Sequence, residues 1–308
     1  MTRVAAIDCG TNSIRLLIAE PNGSGGLREL DRRLEIVRLG QGVDANGEFH
    51  PDALQRTFAV VDQYAELIKK AEVPVPNVHF VATSAARDAR NRDSFFAGIK
   101  QRLGVLPDVV SGPTEAHLSF LGALSRVTPE GQPVLVMDIG GGSTELITGS
   151  AAGEIYRAIS LDVGSVRVTE RFLKQNPVAD DDLARATEYV DDLLAGSGVE
   201  FASIGTWIGV GGTATTLAGV HLELEHYDRE QVHGAVIPLP AVQALLHRLA
   251  KMTVEEIKAL PSMHPGRADV ITGGALVEAR TAARLNVAEL IISESDILDG
   301  IALQLIHR

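Results

Sequence analysis

Val4-Ala-Ala-Ile-Asp8-Cys-Gly10-Thr-Asn-Ser13-Ile-Arg15-Leu16-Leu-Ile18 and Val134-Leu-Val-Met-Asp138-Ile-Gly140-Gly-Gly-Ser143-Thr-Glu145-Leu146-Ile are the same unit written twice, 130 residues apart. Each copy opens on aliphatic, β-rich residues, as a buried strand does. An Asp then stands at the strand end, small residues make a turn, and a second apolar strand follows. Asp8 falls on Asp138, Gly10 on Gly140, Ser13 on Ser143 and Leu16 on Leu146. The repeat predicts two related halves, each opening with a β-hairpin.

The turn residues suggest chemistry. A turn of Gly, Ser and Thr can present backbone N–H groups as a concave anion site, and glycine lets phosphate approach the backbone. An Asp at the lip of such a turn is placed to hold a divalent cation. The alternative is a pair of tight hairpins in which Asp and Ser serve only the turns. One copy leaves both readings open; two copies favour phosphate.

The 308 residues allow one large or two ordinary domains, and the single cysteine, Cys9, permits no internal disulfide. Asp8 interrupts the first apolar run, so no secretory signal is expected, and no apolar stretch reaches membrane-spanning length. The expected location is the cytoplasm, with no membrane partner. The net charge of −12 is uneven: residues 1–130 carry 15 basic against 16 acidic side chains, and residues 131–308 carry 13 against 24. Such a surface repels nucleic acid. Arg87, Arg90 and Arg92 form the densest basic group, readable as a solvated helix end or as a phosphate contact.

Beyond the hairpins, strands and helices alternate, which argues an α/β class with mixed sheets. Helices are expected at 51–71, 93–103, 114–124 (Thr114 as N-cap), 164–173, 179–194, about 240–251, 253–259, 273–286 and 296–307, and strands at 78–83, 154–160 and 207–210. Ser84 to Asp88 reads as a turn. The domains are expected at 1–128 and 129–308, with the last helix able to pack back on the first.

Gly211-Gly212-Thr213 is a third glycine-rich turn, from strand into helix, where a helix N-terminus favours an anion. Neither a Walker A loop nor a dinucleotide fingerprint occurs. Glu115 opens a helix and reads either as a first-turn acid or as a catalytic group. Glu145, two residues past Ser143, has no place near phosphate unless it meets a cation or activates water. His221, His226 and His233 lack the spacing of a metal site on one helix and read as surface or supporting residues.

With Ala82-Thr-Ser-Ala-Ala-Arg87, Ser111-Gly-Pro-Thr-Glu115-Ala and Pro265-Gly-Arg267-Ala-Asp269, these motifs resemble the exopolyphosphatase/guanosine pentaphosphate phosphatase (Ppx/GppA) family, in its order over nearly the whole chain. The resemblance implies an actin-like fold of two ribonuclease-H-like domains with the active site in the cleft between them, Mg²⁺ as cofactor, and a homodimer. It implies Glu115 as base for the attacking water and Glu145 as its catalytic partner. Asp138, with Asp8, would serve the metal. Asn12, Ser13, Arg15, Arg87, Gly140, Gly141, Gly142, Ser143, Gly211, Gly212 and Thr213 would contact phosphate. Longer members carry a C-terminal helical domain of the HD type; with no His-Asp dipeptide here, that domain is expected to be absent and short chains are the expected polyphosphate substrate. Guanosine pentaphosphate hydrolysis and a non-catalytic regulator that binds polyphosphate or nucleotide are the alternatives.

Overall fold

The computed structural model describes residues 3–22 and 26–307. The chain divides into two compact units, Met1–Ser125 with Ile297–Arg308, and Arg126–Asp296.

In the first unit β1 (Val4–Cys9) pairs antiparallel with β2 (Ser13–Pro21), and β2 with β3 (Leu27–Ile36). Helices α1 (Val43–Asn46) and α2 (Pro51–Lys70) lead to β4 (Val78–Ala82), which lies parallel to β1. Then come α3 (Ser84–Asp88), α4 (Arg92–Leu103), β5 (Asp108–Val109) and α5 (Gly112–Leu124). The strand order is β3-β2-β1-β4-β5.

Both faces of β1 are buried, which explains its unbroken apolar run. Ala5, Ile7 and Cys9 point into a core shared with Val61, Tyr64 and Phe95 from α2 and α4. Val4 and Ala6 point into a second core with Leu118 of α5 and Ile297, Leu298 and Ile301 of the last helix, Ile297–Ile306.

The second unit repeats the plan. β6 (Val134–Ile139), β7 (Thr144–Gly149) and β8 (Ile155–Leu161) form the antiparallel meander, followed by α6 (Ser165–Arg171) and α7 (Asp180–Gly196). β9 (Thr206–Val210) runs parallel to β6 and turns directly into α8 (Gly211–His221). α9 (Arg229–Val232), β10 (Val236–Pro238), α10 (Leu239–Ala250), α11 (Val254–Lys258), α12 (Ile271–Ala282) and β11 (Glu289–Ile292) complete it. The order β10-β11-β9-β6-β7-β8 carries the same core as the first sheet with one strand more. The last helix of the chain is therefore α13. Among the described residues no helix is long and apolar enough to cross a membrane.

The structure departs from the pattern reading where local signals mislead. Ser84 to Asp88 forms the short helix α3 rather than a turn. Ser111, not Thr114, caps α5: its hydroxyl accepts from the Thr114 N–H at 3.3 Å. β3 escapes sequence patterning because it is an edge strand crowded with charge, the usual protection of an open edge. β5 and β10, of 2 and 3 residues, are too short to show a period.

One ion pair fastens α13 to that edge. Arg32 of β3 donates from Nη2 to Asp299 Oδ1 at 2.9 Å and Oδ2 at 3.0 Å, and the two side chains are only 15% and 8% exposed. Removing Asp299 takes one carboxylate from this sheltered guanidinium, while Glu29 Oε2 still accepts from its Nε at 2.9 Å. Asp299→Ala is expected to lower the unfolding free energy by about 2 kcal/mol in urea denaturation. A loss below about 0.5 kcal/mol, the size of an exposed pair, would mean that apolar packing alone docks α13.

Candidate active site

The turn between β1 and β2 is closed by Gly10 N–H donating to Ser13 O at 2.9 Å. The segment leaving β3 then takes its carbonyls. Val37 and Arg38 N–H both donate to Asn12 O, at 3.0 and 2.8 Å, and Gly40 N–H donates to Thr11 O at 2.8 Å. With those oxygens turned inward, the turn's N–H side is what it can present to a ligand. Asn12 is buried and Ser13 half-buried at this turn. The Thr11 hydroxyl meets the Ser84 hydroxyl at 2.9 Å, joining the turn to the start of α3.

The turn between β6 and β7 is built alike. Gly140 N–H donates to Ser143 O at 3.0 Å, and the segment leaving β8 again takes the carbonyls. Ser165 N–H donates to Gly140 O at 2.9 Å, and Val166 and Arg167 N–H donate to Gly141 O at 2.9 and 3.0 Å. The buried Arg167 guanidinium donates to Gly142 O at 2.8 Å. Gly164 permits this approach: a Cβ there would stand 2.6 Å from the Gly141 carbonyl. Gly40 has the same role in the first unit, where a Cβ would collide with Thr11.

At one register the two hairpins differ in charge. Asp8 faces Arg15 across the first, and Arg15 Nη2 and Nε donate to Asp8 Oδ2 at 2.7 and 3.1 Å. Asp138 faces Glu145 across the second. Cross-strand partners point to the same face, so the first pair neutralises itself while the second places two carboxylates side by side. Asp138 is 8% exposed and Glu145 1%. Glu145 Oε1 accepts from the Ser160 hydroxyl at 2.7 Å, which helps to fix its orientation. At about 5 Å and an effective dielectric of about 20, such a pair repels by roughly 3 kcal/mol. The donor set therefore fits a cation. Among the described residues no three His, Cys, Asp or Glu side chains form a cage of their own, so an ion held here would share its coordination with water or substrate oxygens.

Gly211 closes over Asp138. Its φ is +74°, a conformation that favours glycine, and a Cβ would collide with Asp138 Oδ1. Beside it the Arg267 guanidinium lies against Gly212. The Thr213 hydroxyl donates to Ile139 O at 3.0 Å, pinning the start of α8 to the end of β6.

In the first unit Glu115 is buried near the start of α5, and Arg87 Nη1 donates to its Oε2 at 2.7 Å and to Val110 O at 2.9 Å. Both bonds use one nitrogen; Nε and Nη2 have no partner among the described residues. The basic group of the sequence thus divides: Arg87 joins Glu115, Arg90 braces the carbonyl of Asn46 at 3.0 Å, and Arg92 lies at the surface. Burial, with the neighbouring Asp8, pushes the Cys9 thiol well above its usual range, so it is no nucleophile.

Sequence reasoning missed the supports. Residues 37–40 and 164–167, which take the turn carbonyls, carried one signal: an aliphatic residue followed by glycine, Leu39-Gly40 and Val163-Gly164, after the third strand of each half. Arg167 and Arg267 stood in view without a partner to give them meaning.

Duplicated α/β units, each opening with the same hairpin and turn, define an actin-like class of protein. Residues 17–308 match the Ppx/GppA phosphatase family, and the chain belongs to it. It is 44% identical to exopolyphosphatase 2 of Mycobacterium tuberculosis over 99% of both chains. Its structure resembles the crystal structure of an exopolyphosphatase-like protein with a TM-score of 0.92, 38% identity and coverage of 98% and 97%. It also resembles the Ppx/GppA member of Aquifex aeolicus with a TM-score of 0.84, 31% identity and coverage of 99% and 98%.

A saturating divalent cation is expected to raise the melting temperature of the wild type by roughly 5 °C through linkage, and Asp138→Asn or Glu145→Gln to abolish the rise. Variants that keep the full rise would place the ion elsewhere.

Proposed function

We propose that this protein is an exopolyphosphatase that releases the terminal phosphate of inorganic polyphosphate. The observation that carries the reading is the contrast between the hairpins. One spends its Asp on an arginine, and the other sets two carboxylates beside a phosphate-type turn, an arrangement suited to a cation that accompanies a polyanion. The name of the mycobacterial relative supports the same substrate.

In this reading the N–H side of each turn offers a phosphate contact, with Asn12 and Ser13 in the first unit and Ser143 and the Gly211-Gly212-Thr213 loop in the second. Arg87 keeps Glu115 in place through Nη1 and offers Nε and Nη2 to a phosphate oxygen. Glu115 takes the proton of a water that attacks the terminal phosphorus in line. The bridging P–O bond breaks, orthophosphate leaves, and the shortened chain keeps the bridging oxygen. Asp138, assisted by Glu145, would hold the divalent ion, which supplies charge neutralisation at the developing oxyanion. Asp8, already engaged by Arg15, orients that arginine instead of serving the ion.

The finer assignments follow the same reading: Mg²⁺ as the ion, short chains as substrate, and a cytoplasmic homodimer. Short chains suit the acidic excess of residues 131–308, since a long polyanion needs an extended basic track.

Glu115→Gln is expected to lower turnover of short polyphosphate about 10²- to 10⁴-fold, the range for a general base, with substrate affinity retained. Phosphate release from short polyphosphate, long polyphosphate and guanosine pentaphosphate, measured side by side, checks it. Near-normal turnover in the variant would remove Glu115 from the chemistry, and release from the nucleotide alone would replace polyphosphate as substrate.

A further inference from the structure

Glu278 lies on α12 with no exposed surface, and neither carboxyl oxygen has a hydrogen-bond partner among the described residues. Its Oε1 rests on the backbone of β9: a Cβ built on Gly209 would stand 3.3 Å from it and 3.0 Å from both Ala214 and Leu290. Gly209 comes two residues before Gly211, which closes over Asp138. One turn earlier on the same face of α12, Gly274 packs on Thr213, where a Cβ would lie 2.6 Å from Cγ2. Consecutive turns of α12 thus floor the β9–α8 loop, one with bare backbone and the next with a carboxyl.

The charged groups of the surrounding elements are engaged elsewhere. Arg167 of α6 donates to Gly142 O, and Asp191 of α7 accepts from Arg280 and Arg284. Asp138 of β6 lies against Gly211. Glu170 and Arg171 of α6, His247 and Arg248 of α10, and Glu289 of β11 lie at the surface, and His221 ends α8 half-buried. Burial alone, with no charged neighbour contributing, pushes the Glu278 carboxyl up to about 8. A carboxylate in this place has no exposed surface and no donor among the described residues, so the neutral acid is the form that the packing accommodates.

We infer that Glu278 is a positioning residue that works as a neutral carboxylic acid beneath the β9–α8 phosphate loop, and that loss of its proton displaces this loop and weakens phosphate binding at alkaline pH. A carboxylate in search of hydrogen bonds would stand against the backbone of β9 at Gly209. Because the carboxyl is raised in the folded state, the stability it confers is full below its ordinary value of 4.5 and is lost as pH rises towards 8. The consequence for catalysis rests on the exopolyphosphatase reading; the titration of the loop does not.

Trp207, the sole tryptophan, is fully buried on β9 two residues before Gly209 and on the same face. Its fluorescence in the wild type is expected to change with a midpoint about one pH unit or less from 8. kcat/KM for short polyphosphate is expected to fall over the same range. In Glu278→Gln the fluorescence stays flat and the alkaline fall of kcat/KM moves up by about one pH unit or more. Glu278→Leu, which keeps an apolar filling of similar size, is expected to be flat as well. A wild type without the transition, or a folded variant that keeps it at the same midpoint, overturns the inference. If the wild type hydrolyses no polyphosphate, the function reading fails while the tryptophan titration still decides the role of Glu278.

Discussion

Both hairpin turns depend on the same backbone polarity. A turn can offer N–H groups to an anion only if its carbonyls have somewhere else to go, and in each unit the strand exit after the meander takes them. Residues 37–40 do so for Thr11 and Asn12, and residues 164–167 for Gly140, Gly141 and Gly142. Gly40 and Gly164 make the approach close enough, which ties the geometry of each turn to the length and exit of the third strand. The meander is thus the scaffold that aims the turn.

Duplication supplied two copies of this device, and one register pair separated their roles. Arg15 opposite Asp8 gives a lip with a cross-strand ion pair; Glu145 opposite Asp138 gives a lip with two facing acidic residues. A change at a single cross-strand position is a small step in sequence. Because partners across a hairpin share a face, it alters the electrostatics of the whole turn.

The hairpins and the main helices were legible because local rules govern them. Asp8, Gly10 and Ser13 recur as Asp138, Gly140 and Ser143, and the apolar runs of β1 and β6 have no other reading than buried strands. What stayed hidden depends on distant partners. β3 looks like a charged surface segment until it becomes the edge that Asp299 binds. Glu115 looks like a helix-start acid until Arg87, 28 residues earlier, reaches it. Glu278 reads as an ordinary acid in a helix; only the burial of α12 on all sides shows that its carboxyl is shut away from the surface. Gly211 carried a visible signal, but its contact with Asp138 did not.

The central claim is that protein-activated water attacks the terminal phosphorus of a polyphosphate chain. The most direct test is hydrolysis of short polyphosphate in water enriched in heavy oxygen, with both products weighed by mass spectrometry. The account requires the label in the released orthophosphate and none in the shortened chain. Label in the chain, or no release of phosphate with the divalent ion present, would contradict it.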